Sequence, residues 1–217
     1  MTAKPNFLGF ILLTLLLLCC NTQGVTQDFD YGQIENNKYY NSFFNFEMII
    51  PTGWIVQSKE QTENLTKKGA DLVAGDDKNL KAVIKASEVN SANLLAIFKY
   101  EVGAAVDYNP SIMLISENLK NSPGIKTGSD YLFQVRKMLK QSQVQYDYFD
   151  ENFKKKTING QDLFLMNASL EYMGLQIKQV YYSTIINGFS LGIIISFVSK
   201  EQKKEIGKVI NSMQFRK

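Results

Sequence analysis

The dipeptide Asn187-Gly188 constrains the fold most, because it lies between two runs rich in β-branched and aromatic residues. An Asn-Gly pair favours positive φ at both central positions of a two-residue turn, which is the geometry of a tight hairpin. The flanking runs, "IKQVYYSTII" and "FSLGIIISF", therefore predict two antiparallel strands. The preceding runs, "QYDYFDENFKKKTI" and "DLFLMNASLEYM", predict two further strands joined by a turn at "NGQ".

Helical patterns precede and follow this region. Residues 58 to 73 begin with a capping box at Ser58 and Gln61, and a second capping box at Ser199 and Gln202 predicts the start of the last helix. The last helix has an apolar stripe that would dock it on the sheet, formed by Ile206, Val209, Ile210 and Met213.

The middle of the chain contains a further helix and an ambiguous segment. Residues 129 to 143 have the helical period, with Ser129 or Asp130 at the cap. Residues 76 to 90 are compatible with a helix capped by Asp76 or Asp77 or with a strand, and the helix is favoured. Two strands are predicted between these helical segments, "NLLAIFKYEVG" and "NPSIMLISENL".

The run "FNFEMIIPTGW", residues 44 to 54, predicts a strand that ends in a turn at Pro51 and Gly53. Its apolar set would face the core and consists of Phe44, Phe46, Met48 and Ile50. The alternating set would face away from the core and consists of Asn45, Glu47 and Ile49. Trp54, the only tryptophan, is interpreted as a core residue, with an exposed ligand-stacking role as the alternative.

Together these elements predict an α+β fold, in which a mostly antiparallel sheet is flanked by helices as an α/β/α sandwich. We expect a signal sequence over residues 1 to 20, a polar tether over 21 to 41, and one domain over 42 to 217. The chain has no cysteine after Cys20, so a hydrophobic core must stabilise the domain without a disulfide.

The N-terminal segment predicts export. After Lys4, Phe7 to Cys20 form an apolar stretch of fourteen residues without a charge, which is too short to span a membrane and typical of a secretory signal. The end of this run, "LLCC", is similar to the bacterial lipoprotein box, with Cys20 as the lipidated residue; Cys19 stands where that pattern prefers a small residue and is the less favoured site. Cleavage after Gly24, which would release a soluble protein, is the alternative.

Composition excludes several chemistries. The chain has no histidine, so Ser-His-Asp catalysis, histidine acid-base chemistry and imidazole zinc sites are excluded. No glycine-rich phosphate loop is present. With 24 basic and 21 acidic residues and no basic face, we expect no nucleic-acid partner. A carboxylate pair, a Ser-Lys arrangement or an oxygen-ligand metal site would remain compatible with the composition.

Two clusters invite functional interpretations that we do not favour. The acidic run "DYFDEN" is interpreted as strand, which would put Asp147 and Glu151 on one face and Asp150 on the other, so we expect no metal site there. Five tyrosines could form a ligand-binding platform, although aromatic residues are common in strands: Tyr146, Tyr148, Tyr172, Tyr181 and Tyr182.

Residues 39 to 217 resemble the PsbP and Mog-type fold, as it occurs in small exported bacterial proteins. The order of the predicted elements carries the resemblance, together with short motifs that contain Pro51, Gly53, Trp54, Gly160, Ile210, Ser212 and Phe215. Members include an extrinsic photosystem subunit that helps to retain inorganic ions and a nuclear protein that binds a small GTPase. The resemblance implies a class of non-catalytic accessory and binding proteins, and no binding residues of those members match positions here.

The sequence therefore predicts an exported, PsbP-like binding protein of the cell envelope or periplasm. It would be held to a membrane through Cys20, would have a protein partner in the envelope, and would need no cofactor, catalytic residue or metal ligand. The alternatives are a carboxylate-dependent hydrolase of envelope polymers and a protein that binds divalent ions through oxygen ligands.

The anchoring prediction can be tested by Cys20→Ser. We expect the variant to move from membrane to soluble fractions, because each buried CH₂ of an acyl chain contributes about 0.8 kcal/mol to membrane binding. Fractionation followed by immunoblotting measures the distribution. A processed variant that remains with the membranes would contradict lipidation at this residue.

Overall fold

The computed structural model describes residues 29–216. The predicted signal sequence, Cys20 and the cleavage position after Gly24 lie outside the described residues. The helices of the described chain are α1 (Lys59–Ala74), α2 (Lys78–Glu88), α3 (Gly128–Lys140) and α4 (Lys200–Ser212). Its strands are β1 (Gln33–Glu35), β2 (Lys38–Asn41), β3 (Phe46–Ile49), β4 (Ile55–Val56), β5 (Ser91–Phe98), β6 (Ser111–Asn118), β7 (Tyr148–Phe149), β8 (Lys154–Ile158), β9 (Gln161–Tyr172), β10 (Leu175–Ile186), β11 (Phe189–Phe197) and β12 (Gln214–Phe215).

The large sheet is antiparallel and has the order β4-β5-β6-β11-β10-β9-β7, with β8 also paired to β9. The predicted hairpin at its centre is confirmed: Asn187 and Gly188 have φ values of 53° and 78°, and Ile186 pairs with Phe189. Both turn residues thus have the left-handed conformation that an Asn-Gly hairpin requires. A second sheet, β1-β2-β3-β12, holds the two ends of the described chain together.

The two faces of the large sheet carry separate cores. Val180 and Tyr182 of β10 belong with one face, which is covered by α4 and the small sheet, and we call the apolar residues on this face the first core. Tyr181 belongs with the other face, under α3. The helix α2 lies on the same face as α3, because Ser87 and Tyr131 both donate hydrogen bonds to the carboxylate of Glu117. Helices therefore cover both faces, and the predicted α+β class is confirmed.

Local capping explains where the helices begin. The capping boxes at Ser58 and Ser199 are present as predicted. The ambiguous segment is a helix, α2, with Asp77 as its N-cap. The predicted cap of α3 was wrong: Thr127 is the N-cap, and Asp130 is the partner three residues later that completes a third capping box.

The predicted tether overlaps the fold. Its described part, residues 29 to 41, includes β1 and β2, and Tyr39 is buried with its hydroxyl donating to the carbonyl oxygen of Tyr31. The ring of Phe29 lies 5.3 Å from that of Phe189, centroid to centroid. The folded unit therefore begins before residue 42, because these aromatic residues complete the first core.

Glu47 lies on the face of β3 opposite to Phe46 and Met48, as predicted, and is nevertheless buried. Strand β3 lies between β2 and β12, and Glu47 is buried there beside Lys38 and Arg216, at 3.2 Å and 2.6 Å from the respective nitrogens. These two cations compensate the buried charge. The short strand β12, which brings Arg216 to this position, was not predicted.

The run "QYDYFDENFKKKTI" is not one strand. It forms β7 and β8, which pair with different parts of β9 and are separated by residues 150 to 153. The break occurs because the carboxylate of Asp150 turns inward and accepts hydrogen bonds from the backbone and side-chain nitrogens of Asn167, at 2.9 Å and 2.6 Å. The side chain of Asp150 is thereby anchored on β9.

Trp54 is a core residue, as predicted, since it is 7% exposed and belongs to the first core. Its indole nitrogen also donates a hydrogen bond of 2.9 Å to Glu205 of α4. The side chain thus connects the turn after β3 to the last helix.

We expect Trp54→Ala to lower the free energy of unfolding by about 3 to 5 kcal/mol, because the truncation removes apolar contacts and leaves a cavity. Urea denaturation followed by circular dichroism measures the change. Trp54→Phe, which keeps most of the ring but cannot donate to Glu205, serves as the control and should lose less. A Trp54→Ala variant with the stability of the parent would contradict the core assignment.

Candidate functional site

A groove of about 840 Å³ is bounded by α1, α2, β5 and the β1–β2 hairpin. We call it the α1–β5 groove. Its helical wall includes Thr62, Thr66, Ala70 and Ala74, which are four residues apart and therefore lie on one face of α1. These side chains are small, so they fill little of the space between the helix and the strand.

The opposite wall is the edge of β5. Five consecutive residues, Ser91 to Leu95, line the groove. Because successive side chains of a strand point to opposite faces of the sheet, a groove lined by consecutive residues runs along the strand's edge. On the other side of β5, the strand pairs with β6, with a register shift between Asn93 and Leu95.

The edge is open because β4 is short. Strand β4 pairs only with Ile97 and Phe98 of β5. One residue after β4, the backbone nitrogen of Gln57 donates a hydrogen bond of 2.9 Å to the carbonyl oxygen of Ala96. Ser58 then caps α1 and the chain leaves the sheet. Within residues 29–216, no strand pairs with Ser91 to Leu95 on this side.

Gln57 lies where the strand gives way to the helix, and its side chain lines the groove. The residue is only 6% exposed, and neither its amide nitrogen nor its amide oxygen has a hydrogen-bond partner within the described part of the chain. Burying an amide without partners costs about 1 to 3 kcal/mol. Gln57 therefore holds one donor group and one acceptor group without partners beside the groove.

The charges of the groove nearly balance. The described wall contains four basic and three acidic side chains: Lys59, Lys67, Lys81, Lys85, Glu63, Asp71 and Glu88. Lys59 and Glu63 are 3.9 Å apart. A nearly neutral groove does not favour a polyanion such as nucleic acid.

Among the described residues that line the groove, no serine or threonine hydroxyl contacts a base that could activate it. The hydroxyls of Thr62, Thr66 and Ser91 each donate to an oxygen acceptor, namely the Ser58 carbonyl, the Asn93 side chain and the Ser87 carbonyl respectively. None of the three donates to a base that could activate it.

The spacing of Glu63 and Asp71 on α1 is not that of a glycosidase pair. Glu63 and Asp71 are eight residues apart on α1, which separates their backbones by about 12 Å along the helix axis. The paired carboxyl groups of glycosidases lie about 5 to 9.5 Å apart.

The acidic run around Asp150 is held by its own neighbours. Asp150 accepts a hydrogen bond of 2.6 Å from the Tyr148 hydroxyl in addition to those from Asn167, and Arg136 donates to the carbonyl oxygens of Asp150 and Glu151. Within residues 29–216 there is no group of three or more acidic, cysteine or histidine side chains that could hold a metal. The absence of calcium binding remains a prediction. It now depends on these contacts, because Asp150 and Glu151 lie between β7 and β8 and strand alternation does not apply to them.

The five tyrosines do not form a common platform. Tyr181 is buried and bonded to Tyr146 and Gln179, and burial raises its pKa well above the ordinary value. Tyr182 belongs to the core on the other face of the sheet, and Tyr172 lies at the exposed end of β9. The interpretation as strand residues is therefore the better one.

Sequence reasoning missed Gln57 and the edge of β5. The only local signal is that "IVQS" leaves room for a strand of two or three residues before the cap at Ser58. So short a strand cannot cover the eight residues of β5.

Among the described residues, no helix is both long enough and apolar enough to cross a bilayer.

No protein-family model matches the sequence, and no curated protein matches it. Among solved structures, the fold is similar to that of the cyanobacterial PsbP of Synechocystis sp. PCC 6803, with 12% identity and a TM-score of 0.49 over 92% of this chain and 99% of that one. It is also similar to LpqN of Mycobacterium tuberculosis, described as involved in cell envelope biogenesis, with 11% identity and a TM-score of 0.44 over 78% and 82% of the two chains. Similarity at this level carries no argument about ligand or activity.

The contacts of Asp150 predict a pH dependence of stability. Burial acts to raise its pKa, but the hydrogen bonds from Tyr148 and Asn167 and the charge of Lys154 outweigh it, so the pKa lies below the ordinary 3.8. A carboxyl whose pKa is lower in the folded state stabilises the fold above the unfolded pKa, and loses this contribution as the pH falls through the folded pKa.

We therefore expect Asp150→Asn to lower the melting temperature at pH 7, and the difference from the parent to shrink progressively below about pH 4. Thermal unfolding from pH 7 to pH 2 measures it. Asp147→Asn, in the same run, is the control and should change little. An equal deficit at every pH would show that the charge of Asp150 is not involved.

Proposed function

We infer that the chain is a non-catalytic, exported binding protein of the bacterial cell envelope and that its ligand occupies the α1–β5 groove. The observation that carries the assignment of the groove is the buried amide of Gln57, which has no partner in the described chain and belongs to a residue that lines the groove. A buried polar group usually has a hydrogen-bond partner, so a ligand that supplies one accounts for its position.

The size and lining of the groove support this assignment. A volume of about 840 Å³ falls within the roughly 300 to 1,000 Å³ that is typical of ligand sites. Such sites combine apolar walls with a few polar groups that fix orientation. Here Ile34, Val56 and Ala70 supply apolar surface, and Gln57 supplies the polar group.

The cellular location is proposed from the sequence. The apolar segment before Cys20 supports export, and lipidation of Cys20 would hold the domain near a membrane by the short segment between Cys20 and Phe29, the first residue that the structure describes. Cleavage after Gly24 would give a soluble protein with the same groove. In either case the proposed role is that of an accessory protein that binds a partner and needs no cofactor.

Position-specific photo-crosslinking tests the groove. A benzoylphenylalanine at Ala70, which lies in the groove, should give an adduct in cells that make the protein. The matched control is the same group at Leu72, which is on the same helix and 65% exposed but does not line the groove. We expect mass spectrometry to detect at least a tenfold excess of adduct at Ala70.

Equal adduct yields at the two positions in variants that fold normally would overturn the assignment of the groove as the binding site. Circular dichroism of both variants establishes that they are folded. The chemical class of the adduct is a separate result, since a sugar, a lipid or a polypeptide would each satisfy the proposed function.

A further inference from the structure

The chemistry of the groove wall narrows the class of ligand. The edge of β5 between Ser91 and Leu95 presents backbone groups that no described strand satisfies. An open strand edge carries a row of N–H and C=O groups and is a template for another strand. A ligand that satisfies such a row must itself carry donors and acceptors at the spacing of an extended backbone.

Gln57 extends this row at its end. The last ladder hydrogen bond before the open edge joins the backbone of Gln57 to Ala96, so Gln57 is the residue next to which an added strand would begin, and its side chain lines the groove there. Its amide carries one carbonyl oxygen and one NH₂ group, the same kinds of acceptor and donor as a peptide bond. Both remain without partners in the described chain.

We propose that the α1–β5 groove binds an extended polypeptide segment, which adds to the edge of β5 as a strand and is held at one end by the amide of Gln57. This inference rests on the proposed function, because it takes the groove as the binding site and names its ligand. Strand addition of this kind obtains its affinity from main-chain hydrogen bonds and its specificity from pockets for alternate side chains.

The length of the segment follows from the edge. Strand β4 stops at Val56, and five residues of β5 remain open. At about 3.3 Å per residue, the segment in contact is about five residues or 17 Å long. A longer segment would have to leave the groove at either end.

The two sides of the groove determine the pattern of the segment. On one side, Ile34 of the β1–β2 hairpin and Val56 of β4 lie beside the groove, exposed by 42% and 37%. The opposite side is formed by α1 and α2, which supply most of the charged side chains. Since side chains of a strand alternate between faces, the preferred segment alternates apolar and polar residues. The balanced charges of the groove predict no strong preference for either sign.

A peptide-binding assay tests the main-chain part of the proposal. Random-sequence nonapeptides are screened against the full chain, and the strongest binder is remade with N-methyl groups on alternate residues, in both registers. These peptides keep the side chains but lack alternate N–H donors. We expect one register to lose at least tenfold in affinity and the other to lose clearly less, because only alternate N–H groups of an added strand face β5.

Amide hydrogen exchange locates the bound peptide. Backbone amides of Ser91 to Leu95 that do not donate to β6 should exchange at least tenfold more slowly in the complex. Absence of any binder, equal effects of the two N-methylated registers, or unchanged exchange on this edge would each overturn the proposal. Amides that are already protected without peptide would also overturn it, and would indicate residues before Phe29 or a second copy as the occupant, which light scattering distinguishes.

Substitution of Gln57 tests the amide. Gln57→Met keeps the length of the side chain but removes both polar atoms. We expect it to bind the peptide at least tenfold more weakly and to melt no lower than the parent, since an apolar residue replaces an unpaired amide. The control is Ser183→Ala, which removes a different buried polar group without a partner, the hydroxyl of Ser183. This residue lies in β10 and outside the groove, so the variant should leave peptide affinity unchanged.

Parent-like affinity in Gln57→Met would overturn the role of the amide. If the Ala70 adduct contains a sugar or a lipid, the proposed function stands and the peptide inference fails. If Ala70 and Leu72 give equal adducts, the proposed function fails as well. The crosslinking and peptide assays therefore separate the two proposals.

Discussion

The capping box at Ser58 is the interaction on which the shape of the groove depends. The Ser58 hydroxyl accepts from the backbone nitrogen of Gln61 at 3.1 Å, and the Gln61 side chain accepts from the backbone nitrogen of Ser58 at 2.8 Å. These bonds satisfy polar groups at the start of α1 and fix the direction in which the chain leaves the sheet. Because the helix begins there, β4 ends after Val56 and most of β5 has no neighbour on that side. The open edge and the buried position of Gln57 therefore follow from one local motif.

The rest of the fold makes this edge rigid. Strand β5 is held by its antiparallel pairing with β6, and its residues Leu95 and Ile97 are buried in the first core. On the far side of that core, the small sheet is closed by the contacts of Arg216, whose backbone nitrogen donates to the Asn45 carbonyl and whose side chain pairs with Glu47. A strand edge that is fixed before a ligand arrives costs little to order on binding.

The sequence predicts those parts of the structure that depend on neighbouring residues. The hairpin at Asn187 and Gly188 and the caps at Ser58 and Ser199 each need only residues within a few positions, and all of them are confirmed. The burial of Trp54 is also predictable, since a large apolar ring beside a strand end has few other favourable positions.

What the sequence could not predict depends on residues far apart in the chain. Glu47 is buried because Arg216, which is 169 positions later, supplies its counter-ion. The strand ends after Phe149 because the carboxylate of Asp150 accepts hydrogen bonds from two nitrogens of Asn167, which lies on another strand. The groove depends on the absence of a neighbour for β5, and no residue type signals an absence. Only the shortness of "IVQS" next to an eight-residue strand indicates it, once the two are known to pair.

The unpaired amide of Gln57 differs in kind from the other buried groups without partners. Ser116 and Ser183 each bury one small hydroxyl inside the large sheet, away from the groove, and a hydroxyl can rotate to reach weak partners. Gln57 buries an entire amide at the wall of the groove, where methionine or leucine would fill the same space without the desolvation cost. For stability alone, an apolar residue is the better choice at this position. The desolvation cost of the unpaired amide arises where the strand ladder stops. A ligand that continues the ladder and completes the hydrogen bonds of the amide would explain why the chain has glutamine at this position.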